Sequence, residues 1–457
     1  MNFKTTGILV IILILLGAYY YFFEVVQHEK KEKQKESAQQ LFDFETDSVE
    51  TLVVKNQYGK FEFKKIQNEW RLTDPVTTDA EENLVTSALN SLKGAKKESE
   101  FSVKAQQKRD YGLQDRSIRV QLTLNNGMKD SLSIGDDTPV GSSVFVSNLD
   151  TIVYTIPKTV KTSLEKKLYE WRNKNLLRFK QNDIHRMVIQ RPKESYEFEK
   201  MSDSEWMFTT LVRPANLTTV NGILKKLETN KPKAFVDEDG TELKKYGLNN
   251  PRYQIDLYLG GEGGKKSLMI SRRLGDKYYA KDDSRKPIFE IDSVLVRDIK
   301  KPITDFRDKK LASFNQNSID RFVLEYHDTL LTCAKDTSNE WYLEGPEKSG
   351  LKKSEITSFL SNIRNSTINE YVIDNPSNVS TYGLTNPSLN IQLFSGEGKV
   401  AEVKFGNLKK NNVYAMTDQY NSVYLLPKTQ YTRLKLNRSK VVEKPVALDD
   451  TTLSRQK

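Results

Sequence analysis

The tripeptide Tyr-Gly-Leu begins at Tyr111, Tyr246 and Tyr382, at separations of 246 − 111 = 135 and 382 − 246 = 136 residues. Trp70, Trp206 and Trp341 keep the same period, 206 − 70 = 136 and 341 − 206 = 135. Two independent markers on one period define a tandem repeat, and the length of the unit limits what the chain can fold into. A unit of this size is far longer than a solenoid repeat, so each copy can bury its own core.

Each copy opens on a strand: Val49, Ile184 and Ile319 are followed at equal offsets by Leu-Val-Val, Met-Val-Ile and Phe-Val-Leu. A second short strand follows at Phe61 and Phe63, at Tyr196 and Phe198, and near Leu330, with the recurring tryptophan beyond it. An i, i+3, i+4, i+7 stripe comes next, at Val85, Ala88, Leu89 and Leu92, then Val220, Ile223, Leu224 and Leu227, then Ile356, Phe359, Leu360 and Ile363. That spacing places four apolar side chains on one face of a helix.

After Tyr-Gly-Leu the copies alternate apolar and polar residues, as in Ile118, Val120, Leu122 and Leu124, and then reach a turn at Asn126-Gly127, Gly260 to Gly264 or Gly396 to Gly398. Further strands over Val144 to Val146, Tyr278 to Ala280 and Val413 to Ala415, then Val153-Tyr154, Ile288-Phe289 and Val423-Tyr424, continue an antiparallel meander. A second amphipathic helix closes copies one and two, where WRNKNLLRF (Trp171 to Phe179) corresponds to FRDKKLASF (Phe306 to Phe314).

The predicted fold is therefore α+β, with modules over 45–179, 180–314 and 315–443, a short N-terminal tail at 1–6 and a flexible tail at 444–457. The short junctions near 180 and 315 predict a semi-rigid, elongated rod.

Ahead of the modules, Gly7 to Phe23 reads GILVIILILLGAYYYFF without a charge, long enough to cross a bilayer as a helix. Tyr19, Tyr20 and Tyr21 suit the headgroup interface, and bulky residues where a signal peptidase needs small ones predict an uncleaved anchor over 7–23. Residues 24–44 read as a charged helical stalk, with Glu29 and Lys33 at i,i+4 spacing. Lys30, Lys31, Lys33 and Lys35 follow the span against Lys4 before it, which by strict count favours a cytoplasmic body. Long domains cross largely regardless of such charge, and the body is read as extracytoplasmic.

The net charge of +10, from 71 Lys and Arg against 61 Asp and Glu, could point to nucleic acid or lipid headgroups. The basic residues lie scattered among acidic ones, which reads as a solvated surface with no nucleic-acid partner. Cys333, the only cysteine, excludes an internal disulfide, a multi-cysteine zinc site and a lipobox, and its run Leu330 to Ala334 reads as a strand with a buried thiol.

No motif carries chemistry. His28, His185 and His327 are the only histidines and do not recur between copies, so no metal or catalytic site is assigned to them. The Gly260 to Ser267 run is one residue short of a phosphate-binding loop and sits at the shared hairpin position. Asp237 to Gly240 cannot complete a calcium loop and reads as a solvated turn, while Ser163-Leu164-Glu165-Lys166 lacks the companion motifs of Ser-x-x-Lys enzymes. The three tryptophans and the recurring tyrosines could form aromatic platforms, but residues that repeat with the framework read as core residues. Gly112, Gly247 and Gly383 predict a turn with positive φ. No catalytic, cofactor-binding or metal residue is predicted.

Tyr-Gly-Leu-x-x-Pro, at Tyr246 to Pro251 and Tyr382 to Pro387, followed by a meander and an apolar-aromatic strand, resembles the bacterial domain of unknown function family 4340. The resemblance spans about 45 to 440, with Arg116 in place of the proline in the first copy. It implies a bacterial, membrane-anchored protein exposed outside the cytoplasm, of a kind often associated with gliding-type or uncharacterised ABC transport systems. The expectation is a non-enzymatic accessory or scaffold protein in the inner (plasma) membrane, its partners the bilayer through 7–23 and ABC-type transporter components. An envelope glycan- or peptide-binding protein is the alternative, and a hydrolase with a site between modules the third reading.

Overall fold

The computed structural model describes residues 39–443 apart from 149, 150, 261–263, 328 and 347, together with Tyr19 and Tyr21. Apart from those two tyrosines, the predicted span 7–23 lies outside the described residues, as do the stalk up to 38 and the tail 444–457. Among the described residues no helix is long and apolar enough to cross a membrane.

The body is mostly antiparallel sheet with few helices, in three tandem modules of one nine-stranded sheet each. In the first module the strands are β1 (Val49–Asn56), β2 (Gly59–Ile66), β3 (Glu69–Asp74), β4 (Thr78–Asp79), β5 (Ser99–Ser102), β6 (Ile118–Leu124), β7 (Lys129–Asp137), β8 (Ser143–Ser147) and β9 (Ile152–Pro157). Their order across the sheet is β4-β3-β2-β1-β6-β7-β8-β9-β5, and the other two sheets repeat it. Each sheet thus joins two meanders side by side. The seam is β1 against β6, with Leu52 opposite Leu122 and Val54 opposite Val120.

Helix α1 (Glu82–Lys93) leaves the β4 edge and delivers the chain to β5 on the opposite edge. Its 12 residues bury Val85, Ala88, Leu89 and Leu92, and the matching helices Leu217–Thr229 and Lys353–Arg364 bury the full predicted stripes. Each such leucine taken from water contributes roughly 1.5–3 kcal/mol, so the stripe is the main bond between helix and sheet.

The second helix differs from expectation. It breaks into α2 (Thr159–Leu164) and α3 (Leu168–Trp171), and the third module has the same pair at Lys428–Arg433 and Arg438–Val441. The break at Glu165, which has left helical dihedrals at φ −85 and ψ 65, lets the chain turn so that Trp171 seats edge-on against Phe63 at 5.0 Å between ring centroids.

The Tyr-Gly-Leu segment forms a turn: Tyr111 ends a 3-10 helix (Ala105–Tyr111), and Gly112 follows at φ 68. Gly247 and Gly383 share that left-handed conformation, as predicted, at φ 66 and 72. The turn sets its tyrosine on the back of the sheet against Phe145, Tyr279 or Tyr414, at 4.9, 4.9 and 5.0 Å. In the first two modules the tyrosine caps a small apolar cluster of its own, separate from the main core. The edge strands Ser99–Ser102, Ala234–Asp237 and Glu370–Asp374 were not legible, because they are short and only partly apolar.

The junction peptides belong to two modules at once. Arg172 and Arg307 bridge to Ala80 and Ala215, just beyond the β4 edge of the module being left. A few residues on, Leu176 and Leu177, or Leu311 and Ala312, are buried in the core of the module being entered, as Leu41 and Phe42 are in the first.

Candidate functional site at the module junctions

The β4 edge of each module and the far edge strand of the next meet across the junction peptide. Its arginine closes the contact. Arg172 donates from both terminal nitrogens to the Glu238 carboxylate, at 2.6 and 2.9 Å, and lies 3.4 Å over the Phe235 ring. Arg307 repeats the arrangement on Asp374, at 3.0 and 2.7 Å, and lies 3.7 Å over Tyr371. Both side chains are almost fully buried, at 2% and 3% exposure, while their carboxylates stay at the rim. The planar guanidinium suits this site because it can chelate a carboxylate and stack on a ring together, which lysine cannot. In both copies Nε has no partner among the described residues, so the orphan is part of the repeated design.

Burial alone would raise the Asp374 carboxyl, but hydrogen bonds from Arg307 and Ser422 outweigh it and hold the group below the usual carboxylate range. The Tyr371 hydroxyl donates to the Asp308 carbonyl, and burial pushes its ionisation up. Asp237, read from sequence as part of a solvated turn, ends an edge strand, and its carboxylate accepts from the amides of Asp239, Gly240 and Glu242. That fold-back presents Glu238 to Arg172.

Two of the equivalent positions carry other residues. The third module places Val442, paired with Leu351, at the arginine position. The first places exposed Glu100, opposite Tyr154, where the second and third carry Phe235 and Tyr371. Among the described residues the arginine donor stands in the first and second modules and the aromatic-acid acceptor in the second and third. The sequence held this signal as an arginine repeated at 307 − 172 = 135 and then lost; without the fold nothing connected it to Glu238 or Asp374.

Beside each clamp the copies diverge. At the second junction Arg213 crosses to the third module, donating to Ser422 Oγ at 2.6 Å and lying 3.5 Å from both Tyr424 Oη and Asp374, which leaves about 20 Å³ of space. Strand pairing makes Thr78 its counterpart at the first junction. There a groove of about 410 Å³ remains. The arginine of that corner is instead Arg178, which reaches back to Glu69 at 2.5 and 3.1 Å and to Asp79 at 3.4 Å. It holds the Glu69 carboxyl below its ordinary range. Ser313 replaces it at the second junction, where a polar groove of about 480 Å³ opens under Trp206.

The residues singled out in the sequence lie elsewhere. Trp70, Trp206 and Trp341 are 4%, 2% and 6% exposed, so they are core residues and offer no platform for a sugar or peptide. Cys333 is fully buried on a strand, and burial pushes its thiol up to about 12. His185 is exposed on a strand, His327 sits in a tight turn at φ 48, and His28 lies outside the described residues. Ser163 donates to the Val160 carbonyl on the surface of α2. Among the described residues no group of three or more His, Cys, Asp or Glu is placed to hold a metal ion.

Three overlapping stretches, 70–215, 206–377 and 341–457, match the family described as Domain of unknown function (DUF4340). The first two run from the tryptophan strand of one module into the next, so each includes a junction. No curated protein matches the chain. Among solved structures, a DNA polymerase sliding clamp from Pseudomonas aeruginosa aligns over 86% of this chain and 95% of its own at 7% identity and a TM-score of 0.16.

Proposed function

We propose that this chain, which belongs to the DUF4340 family, is a non-enzymatic accessory or scaffold protein, anchored in the inner membrane with its body outside the cytoplasm. In this reading it works with an ABC-type transport or gliding-type membrane complex. The observation that carries the proposal is the distribution of the junction clamp. Buried arginines hold the three modules in a set order, as suits a rigid arm on which partners dock. Partner proteins would add to strand edges or enter the grooves between modules.

Affinity purification of the tagged protein from crosslinked, solubilised membranes tests this. A stoichiometric membrane-protein partner is expected, and recovery of the protein alone would count against the proposal. Protease protection in sealed membrane vesicles checks the side: the body is expected to be cut only from the extracytoplasmic face.

A further inference from the structure

The groove between the first and second modules concentrates positive charge that along the sequence is scattered among acidic residues. Five cations line it, Arg71, Arg178, Lys266, Arg285 and Lys286, against two carboxylates, Asp79 and Asp282. Both carboxylates are already engaged: Asp79 by Arg71 and Arg178, Asp282 by Arg285 at 2.9 Å. Arg178 is also held by Glu69 just outside the groove. Lys266 and Lys286 are left with no acidic partner among the described residues. Thr77 and Thr78 line the same space with hydroxyls.

The second junction shows what this arrangement lacks. Its equivalent space is filled by Arg213 and lined by Tyr371, Tyr420 and Tyr424, while Tyr420 stands where Arg285 does in the first and Ala401 where Lys266 does. The same corner is thus a closed protein contact in one place and an open cationic recess in the other. No aromatic side chain lines the recess, so it does not suit stacking of a base or sugar ring. A concave site with excess positive charge focuses potential on anions, and a recess of about 410 Å³ admits a molecule of small-metabolite size.

We propose that this recess binds a small hydrophilic polyanion through its phosphoryl or carboxyl oxygens. Lys266 and Lys286 supply the charge that no described carboxylate meets, and Arg71 and Arg178 form the opposite wall from the first module and its junction peptide. Ligand in the recess touches both modules, so occupancy tightens the junction that has no counterpart of Arg213. A ligand in this recess is compatible with the presence or the absence of a membrane-protein partner.

The test is calorimetric titration of the full-length protein in neutral detergent with pyrophosphate and with citrate, at ionic strength matched by chloride. Saturable binding of either, at one site per chain, is expected; preference for pyrophosphate assigns a phosphoryl group and preference for citrate a carboxylate. The Lys266→Ala/Lys286→Ala variant is expected to lose about tenfold or more in affinity, since removing charge from a recess weakens an ion more than removing it from an open surface. Neither lysine has an acidic partner among the described residues to orphan, so the variant's thermal transition without ligand should match that of the parent. A control pair at the second junction, Lys309→Ala/Lys310→Ala, should leave affinity unchanged. Absence of saturable binding, or equal affinity in the parent and the lysine variant, overturns the proposal.

Discussion

The two junctions use one clamp and secure it differently. At the first, Glu238 has a single cation, Arg172, and the neighbouring arginine, Arg178, turns back toward the module it came from. At the second, Asp374 is met by Arg307 from the junction peptide and by Arg213 from the sheet edge, with Ser422 as a third partner. One junction is therefore singly held with its corner open, and the other doubly held with the corresponding corner filled by Arg213 and a separate groove beside Trp206. Repetition explains the clamp; divergence at Thr78 and Arg213, and at Arg178 and Ser313, explains why the copies are not interchangeable.

The largest expected difference comes from removing the shared arginine. Arg172→Ala removes the one cation that the described residues place on Glu238 and should cost the first junction about 2–3 kcal/mol, the range for a charged hydrogen-bonded pair with a rim-exposed partner. Arg307→Ala leaves Arg213 in place, so about half that loss is expected. Hydrogen exchange of the strands Ala234–Asp237 and Glu370–Asp374 reads each junction separately, where a global melt of three modules would not. Equal or reversed losses would break the comparison.

Next is the exchange of the divergent residue. Arg213→Thr should open the second junction to a recess like the first, at a cost of about 1–2 kcal/mol from lost hydrogen bonds and packing. The reciprocal Thr78→Arg should bring no matching gain, because the new guanidinium would meet Arg285 where Arg213 meets Tyr420. Exchange protection of the same two strands measures both, and stabilisation by Thr78→Arg would show that charge crowding does not govern the recess.

How much of this could be read from the chain depended on the range of the signal. Val85, Ala88, Leu89 and Leu92 announce their helix because 3.6-residue periodicity is local, and Gly112 announces its turn because its φ is local. The pairing of β1 with β6 joins Leu52 to Leu122 across helix α1 and the strands β2 to β5, and no short-range pattern carries that. The junction was harder still. Trp171 to Phe179 and Phe306 to Phe314 were visible as counterparts, yet Glu238 looked like one acid in a polar turn, since its meaning lies in an arginine 66 residues away. Function-bearing differences between copies fall where the framework pattern is silent.

A smaller effect is expected at the residue before the clamp, Trp171 in the first junction and Phe306 in the second. Trp171 is fully buried and its indole nitrogen has no hydrogen-bond partner among the described residues. Trp171→Phe should therefore shift stability by no more than about 1 kcal/mol, since the volume lost is partly offset by removing an unsatisfied donor. A loss comparable to Trp→Ala, about 3–5 kcal/mol, would mean that the indole makes a contact the clamp relies on. Denaturant midpoints of parent and variant, followed by the first module's own exchange protection, decide it.

The smallest effect is that of pH on the second junction. Asp374 has its folded pKa lowered, so its contribution is fully present above the ordinary Asp value of about 3.9 and is lost as pH falls through the lower folded value. Asp308, raised by burial, has the opposite sign: it costs stability once ionised and returns it as pH falls through its raised value. The Asp374 carboxylate is 38% exposed, so solvent screening limits its net share to about half a kcal/mol. Exchange protection of Glu370–Asp374 should therefore fall only slightly in acid in the parent. The fall should be steeper in Asp308→Asn, where the opposing group is gone, and absent in Asp374→Asn. An unchanged acid slope in Asp374→Asn would place the pH sensitivity of this junction outside the clamp, and with it the claim that two arginines converge there on one working carboxylate.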